Sequence, residues 1–197
     1  MDSLAKEITI TLEDTNNSDE FHFKGLVRFT IGDYEGAILN FTEAIRIDPN
    51  YTDAYYWMGK AKYGIEDYKG AILDFTEAIK LDSNDAKFYF NRGKAKYGIE
   101  DYKSAITDYD KVIKLKPNDT NVYVMRGIAK LQIGDYRGTI ADFTKVIKLK
   151  PNNADAYIGR GLAKYMIDDR KGACSDFKKA KILGSKDASN YIYQYCQ

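Results

Sequence analysis

Small and apolar residues recur along this chain at a fixed spacing of 34 positions. The clearest series consists of glycines: Gly25, Gly59, Gly93, Gly127 and Gly161. No insertion or deletion interrupts the period between Ser18 and Asp187. A sequence period of this length is typical of stacked helical repeats.

Each period contains two helical patterns separated by a short polar break. Within residues 52–85, apolar side chains follow helical spacing as far as Ile65 and again from Tyr68 to Leu81. The charged pair Glu66-Asp67 lies between the two patterns. The sequence therefore predicts a helix A, a tight turn and a helix B in every repeat.

The period divides the chain into a repeat domain and two ends. The predicted repeats are residues 18–51, 52–85, 86–119, 120–153 and 154–187. In residues 1–17, the alternating stretch Ile8–Leu12 predicts a short extended segment that could pair with a partner; a loosely attached tail is the alternative. Residues 188–197 start another helix A, and we expect this helix to cap the array.

The repeat resembles that of the tetratricopeptide repeat family. The family pattern of an aromatic residue, a glycine and a later tyrosine, alanine, phenylalanine and alanine is matched in the second repeat. The matching residues are Tyr55, Gly59, Tyr68, Ala71, Phe75 and Ala78. The resemblance implies an all-α fold, a right-handed α-solenoid of five tandem helix-turn-helix repeats plus a C-terminal capping helix.

Two helix A positions depart from the family pattern because they carry basic residues in every repeat except the second, where Met58 occupies one of them. In the third repeat, these positions are Arg92 and Lys96 in helix A, and helix B of the same repeat carries an acidic residue, Asp108. Equivalent acidic residues recur at Asp74, Asp142 and Asp176, with Asn40 in the first repeat. Because an unpaired buried charge is costly, we expect ion pairs between helices A and B. A phosphate-binding stripe is the alternative.

The resemblance implies that helix A lines a concave groove that binds other proteins. We expect the groove to hold a peptide or helix with an acidic segment and an apolar anchor, because aromatic residues and cations are common in binding hot spots. Packing between neighbouring A helices is the alternative for many of these side chains. The predicted groove residues are Tyr56, Trp57, Lys60, Tyr63, Lys87, Phe90, Asn91, Lys94, Tyr97, Asn121, Met125 and Ile128.

A second function is self-association. The helix A residues of the last two repeats, which include Leu131, Leu162 and Met166, are largely apolar. These residues or the Ile8–Leu12 segment could join copies of the chain into a homo-oligomer. The chaperone-tail clamp of some family members is not expected, because His22 and Leu26 occupy its first-helix positions.

Composition excludes several other classes of function. The formal net charge of +1 gives no bulk attraction to nucleic acid or to membranes. A single histidine, His22, makes a histidine-based metal site or catalytic triad implausible, so we expect no cofactor and no enzyme activity. The start of the chain lacks a signal-peptide pattern. We expect Cys174 and Cys196 to be buried free thiols in a reduced cytoplasmic setting.

An RNA-reading repeat is also not expected. Such a repeat reads bases with polar side chains at equivalent positions in successive helices. The corresponding positions here are mostly apolar: His22, Tyr56, Phe90, Val124 and Ile158.

Overall fold

The computed structural model describes residues 17–196, which form eleven α-helices and no β-strand. Residue contacts group the chain into two compact units, one up to Phe88 and one from Tyr89 onward. The all-α class and the helix-turn-helix organisation predicted from the 34-residue period are confirmed. The Ile8–Leu12 segment lies outside the described residues.

The first unit contains two complete helical hairpins. The helices of this part are α1 (Ser18–Thr30), α2 (Tyr34–Ile47), α3 (Thr52–Gly64), α4 (Tyr68–Leu81) and α5 (Ala86–Gly98). Helix pairs α1–α2 and α3–α4 pack within each hairpin, and α2 packs against α3. The boundary between the units falls after Phe88, within α5.

The second unit continues the same alternation. Packing proceeds in series from α6 to α7 and so on to the last helix. Its helices are α6 (Tyr102–Leu115), α7 (Thr120–Gln132), α8 (Tyr136–Leu149), α9 (Ala154–Met166), α10 (Arg170–Ile182) and α11 (Ala188–Tyr195).

The turn between helices A and B is repeated with the same hydrogen bonds. In the second repeat the N–H of Asp67 donates to the carbonyl oxygen of Lys62 (2.9 Å), and Glu66 before it has a φ of 62°. This left-handed residue ends helix A and reverses the chain. Asp67 then begins helix B, where its carboxylate accepts the N–H of Gly70 (2.9 Å).

Close contact between helices A and B depends on the glycine series. A Cβ placed on Gly59 would lie 2.9 Å from the ring of Phe75, which is fully buried. The glycine therefore makes room for the large helix B ring, and the neighbouring Ala71 and Ala78 are also fully buried. Dense packing of small and large residues across each hairpin stabilises the repeat.

The last helix covers the end of the second unit. The ring of Tyr191 stacks on Phe177 with centroids 5.4 Å apart, and Tyr195 lies 4.5 Å from Tyr165. These aromatic contacts confirm the predicted capping helix and explain why Phe177 is fully buried at the last helix B.

The prediction of two free thiols is wrong. Cys174 in α10 and Cys196 just after α11 form a disulfide, with Cα atoms 5.6 Å apart. Packing of the capping helix on α10 brings the two cysteines together although 22 positions separate them. The cysteine count consequently gives no support to a reducing compartment, because disulfides persist mainly in oxidising ones.

Candidate functional site

The predicted ion pairs between helices A and B are present in repeats two to five. In repeat three, Arg92 Nη2 lies 2.7 Å from Asp108 Oδ1 and Lys96 Nζ lies 2.8 Å from Asp108 Oδ2. The same pattern is formed by Arg126 and Lys130 with Asp142, and by Arg160 and Lys164 with Asp176. These basic residues thus hold the hairpins together, which argues against a phosphate-binding stripe.

Repeat four has an additional link to the preceding helix B. Arg126 Nη1 lies 2.5 Å from Asp110 Oδ1, while its other nitrogens bond Asp142. Burial alone would lower the pKa of Arg126, but the hydrogen bonds that its guanidinium donates to both carboxylates outweigh burial and raise the pKa. The Arg126 side chain therefore connects three consecutive helices of the second unit as a permanent cation.

The predicted groove residues of the first unit are largely occupied with each other. The Tyr56 ring packs 5.4 Å from Phe88 and 6.0 Å from Phe75, and Trp57 lies edge-on to Phe29 at 5.2 Å. Both Tyr56 and Trp57 are half-buried. The interpretation as packing between neighbouring A helices therefore describes these two aromatic residues.

The two predicted groove lysines of the first unit, Lys60 and Lys87, also contact residues of that unit. Lys60 Nζ lies 4.0 Å from the ring centroid of Trp57 and 5.0 Å from that of Phe29, both within cation–π range. Lys87 Nζ lies 3.2 Å from Asp85 and 3.4 Å from Asp53. Burial alone would lower the pKa of Lys87, but the hydrogen bond and charge of the aspartates raise it.

Four predicted groove residues of the second unit surround one cleft of about 410 Å³. Phe90 and Lys94 come from α5, whereas Asn121 and Met125 come from α7. The cleft is completed by Val124 on α7 and by residues that sequence analysis did not assign to the groove: Phe143 is on α8, and Asn153, Asp155 and Ala156 are at the start of α9. The volume is within the usual range of ligand pockets.

Some predicted residues do not line this cleft. Tyr97 packs edge-on against Tyr102 at 5.1 Å, and Tyr63 packs similarly against Tyr68 at 5.3 Å. Asn91 and Ile128 are half-buried on the same helices as the cleft residues without lining it. The predicted set is thus divided between hairpin packing and one local cleft.

Of the cleft residues that sequence analysis missed, Asn153 has a recognisable sequence signal and Phe143 does not. Asn153 follows Pro151-Asn152 and caps α9, since its side-chain oxygen accepts the N–H of Ala156 (3.0 Å). The repeat period predicts that this helix A starts near Asn153, next to helix A of the preceding repeat. Phe143 occupies the same helix B position as Phe75 and is only 4% exposed, yet one side of it faces the cleft.

A second cleft of about 320 Å³ lies on the last repeats of the same unit. Its wall includes Tyr165 and three residues that sequence analysis placed on the apolar part of the groove, Leu131, Leu162 and Met166. The capping helix adds Tyr195, and helix B adds Tyr136. This surface is mainly apolar and aromatic.

The described residues contain neither a cluster of metal-binding side chains nor a membrane-spanning helix. Within residues 17–196, no group of three or more His, Cys, Asp or Glu side chains could hold a metal ion. No helix among them is long and apolar enough to span a membrane. His22 is half-buried, and desolvation lowers its pKa while Asp53 and Asp19 act in the opposite direction.

Comparison with protein families identifies the repeat over most of the chain. A model described as TPR repeat matches residues 25–65 and 65–99, and models described as tetratricopeptide repeat match residues 86–119 and 120–153. None of the curated proteins gives a significant match.

Several solved structures have the same fold. A crystal structure of MamA protein is 27% identical, with a TM-score of 0.82 over 87% of this chain and 94% of that chain. Another MamA structure is 28% identical, with a TM-score of 0.79 over 84% of this chain and 96% of the other. YrrB, described as a TPR protein with an unusual peptide-binding site, is 19% identical, with a TM-score of 0.84 over 95% and 97% of the two chains.

Proposed function

Because this chain belongs to the tetratricopeptide repeat family, whose members act as protein-interaction scaffolds, we propose that it binds a peptide segment of a partner protein on the helix A face of its second unit. The observation that carries the proposal is the convergence of Phe90, Lys94, Asn121 and Met125 around one cleft. The bound segment contributes an apolar side chain to the cleft and polar groups to its rim.

The chemistry of the cleft supports such a ligand. Phe90, Val124 and Met125 provide apolar contact, while Asn121 is exposed and presents an amide that can both donate and accept hydrogen bonds. Peptide backbones need such partners as they leave water. YrrB illustrates that a protein of this fold can carry a peptide-binding site.

The acidic part of the partner is assigned to the Lys94 side of the cleft. Asp155, in the first turn of α9, also lines the cleft and would repel an acid placed beside it. Among the residues that line the cleft, Lys94 is the one that carries a positive charge. The proposed segment therefore needs one acidic residue next to its anchor rather than a long acidic run.

The experiment starts by selecting binders from a displayed library of random heptapeptides on the immobilised protein. Dissociation constants of the selected peptides are then measured by fluorescence anisotropy for the wild type and for Met125→Glu. We expect the variant to weaken binding at least tenfold, because a carboxylate would replace an apolar contact (about 1.4 kcal/mol or more). Failure to select any peptide, or equal affinity for both proteins, would refute the proposal.

The matched control is Leu73→Glu. Leu73 is 68% exposed on helix B of the first unit, so the same substitution there leaves the cleft unchanged. We expect this control to bind the selected peptides with wild-type affinity. Circular dichroism of both variants verifies that the helices are intact.

Self-association is the second candidate function, favoured by the apolar cleft of the last repeats. Met166 is 53% exposed beside Leu131, Leu162 and Tyr195. Light scattering at several concentrations separates this possibility from peptide binding. A dimer that Met166→Glu dissociates would support assembly, whereas a concentration-independent monomer would eliminate it.

A further inference from the structure

In most repeats, the aromatic ring in the middle of helix B has an aromatic partner beside it. Three of the partners come from one repeating position of helix A, with centroids 5.7–6.0 Å apart. This is the distance at which aromatic pairs interact favourably. The pairs are His22 with Phe41, Tyr56 with Phe75, and Phe90 with Tyr109.

In the fifth repeat, the aromatic partner of the helix B ring comes from the capping helix instead of helix A. Its helix A position holds Ile158, which has no ring. The capping helix supplies the ring instead, since Tyr191 stacks on Phe177 with centroids 5.4 Å apart. A helix B ring thus obtains an aromatic neighbour even where the repeat itself does not provide one.

The fourth repeat leaves its ring without such a neighbour. The helix A position holds Val124, and Phe143 has no aromatic partner among the described residues. Both residues line the 410 Å³ cleft. The cleft therefore lies where the other repeats have the second ring of a pair.

The position of Phe143 keeps this space open. A Cβ placed on Gly127 would lie 3.2 Å from the Phe143 ring, compared with 2.5–2.9 Å for the corresponding glycines of the other repeats. A Cβ on Gly159 would lie only 2.4 Å from the same ring. The ring thus leans away from the glycine of its own repeat and towards Gly159 in the next helix A, where any side chain would obstruct it.

We propose that the cleft binds an aromatic side chain of the partner peptide, which takes the position of the missing ring beside Phe143. The inference rests on the proposed function and specifies the chemical class of the anchor. Val124 and Met125 would contact the edge and face of the incoming ring. Asn121 and Asn153 lie where they can hydrogen-bond the backbone on either side of it.

The first test uses only the wild-type protein. Heptapeptides selected from the random library are sequenced, and the tightest one is compared by fluorescence anisotropy with a version whose aromatic residue is replaced by leucine. We expect the selected sequences to share an aromatic residue and the leucine version to bind about three- to tenfold more weakly. Selected peptides without a common aromatic residue, or equal affinity of the pair, would overturn the inference.

The second test fills the space from within the protein. Val124→Phe would supply the missing ring, and Ile128→Phe places the same group one turn later on α7, where it does not line the cleft. We expect Val124→Phe to weaken binding of the selected peptide at least tenfold and the control to leave it unchanged. Undiminished binding to a folded Val124→Phe protein would contradict the inference.

The two proposals fail in different ways. Peptides that bind the wild type, lose affinity with Met125→Glu and lack an aromatic anchor would refute the inference and leave the proposed function intact. Absence of any binding peptide would refute both.

Discussion

Lys62 Nζ lies 2.8 Å from Asp74 Oδ2, and this contact is the ion pair of repeat two. In repeats three to five an arginine supplies a second cation, but Met58 occupies that position here. Asp74 is 6% exposed, and its Oδ2 atom has no well-aligned hydrogen bond. One cation is thus left to offset the burial of this carboxylate.

The incomplete pair predicts an unusual pH dependence. Burial raises the pKa of Asp74 to about 6, although the positive charge of Lys62 acts in the opposite direction. The folded state therefore binds this proton more tightly than the unfolded state. Above pH 6, the charged Asp74 therefore lowers the free energy of unfolding by roughly 3 kcal/mol. This loss is relieved as the pH falls from 6 towards the ordinary aspartate pKa near 4.

Met58→Arg should restore the missing cation. We expect the pKa of Asp74 to fall and the free energy of unfolding at pH 7 to rise by about 1–3 kcal/mol. The new guanidinium can also bond Thr42, as Arg160 bonds the equivalent Thr144 (3.3 Å). Carbon-detected NMR titration of Asp74 and urea unfolding measure both effects. Met58→Leu is the control, and an unchanged Asp74 pKa in Met58→Arg would contradict the explanation.

Removal of a complete pair should have the opposite effect. Asp142→Ala leaves Arg126 and Lys130 without their shared carboxylate, and we expect a loss of about 3–5 kcal/mol in urea unfolding. Asp110→Ala removes the more exposed partner of Arg126 and should cost about 1 kcal/mol or less. Equal losses for the two variants would show that burial does not determine the strength of these pairs.

The sequence predicts the features that recur in each repeat, but not the orientation of Phe143. The 34-residue period was sufficient to predict the helices, the turns and the cation–carboxylate pairs, because each of these features depends on positions that recur from repeat to repeat. Phe143 shows where that reasoning ends: its orientation depends on Val124 and Gly159, two departures from the repeat in neighbouring helices. The cleft therefore results from differences between copies, to which a repeat pattern is insensitive.

The cysteines illustrate a second limit. Composition excluded a framework of several disulfides, but it could not decide about one bridge between Cys174 and Cys196. That bridge depends on how the capping helix lies against α10. The repeat pattern also does not specify the contacts among the predicted groove residues of the first unit, where Lys60 Nζ lies 4.0 Å from the ring centroid of Trp57.

The turns offer a stabilising substitution. Glu100 has a φ of 63°, and the equivalent residue in repeat four is Gly134 with a φ of 77°. A left-handed conformation costs a non-glycine residue about 1 kcal/mol. Glu100→Gly should therefore raise stability by up to about 1 kcal/mol, and Gly134→Ala should lower it by a similar amount. Thermal unfolding measures both, and a decrease for Glu100→Gly would contradict this assignment.

The disulfide should stabilise the end of the chain. It closes a loop of 22 positions and fastens the capping helix to α10. We expect reduction by dithiothreitol, or the double variant Cys174→Ser/Cys196→Ser, to lower the free energy of unfolding by about 2–4 kcal/mol. Hydrogen exchange should accelerate first at Tyr191 and Tyr195. The double variant should show no further change with dithiothreitol, and an equally slow exchange after reduction would show that packing alone holds the helix.

The account depends most on where a peptide binds. Backbone amide chemical-shift changes, recorded while a library-selected heptapeptide is added to the isotope-labelled wild type, test this directly. We predict that the largest changes occur in α5 and α7, at Phe90, Asn121, Val124 and Met125. Changes confined to exposed helix B residues such as Leu73, or an absence of saturable changes, would contradict it.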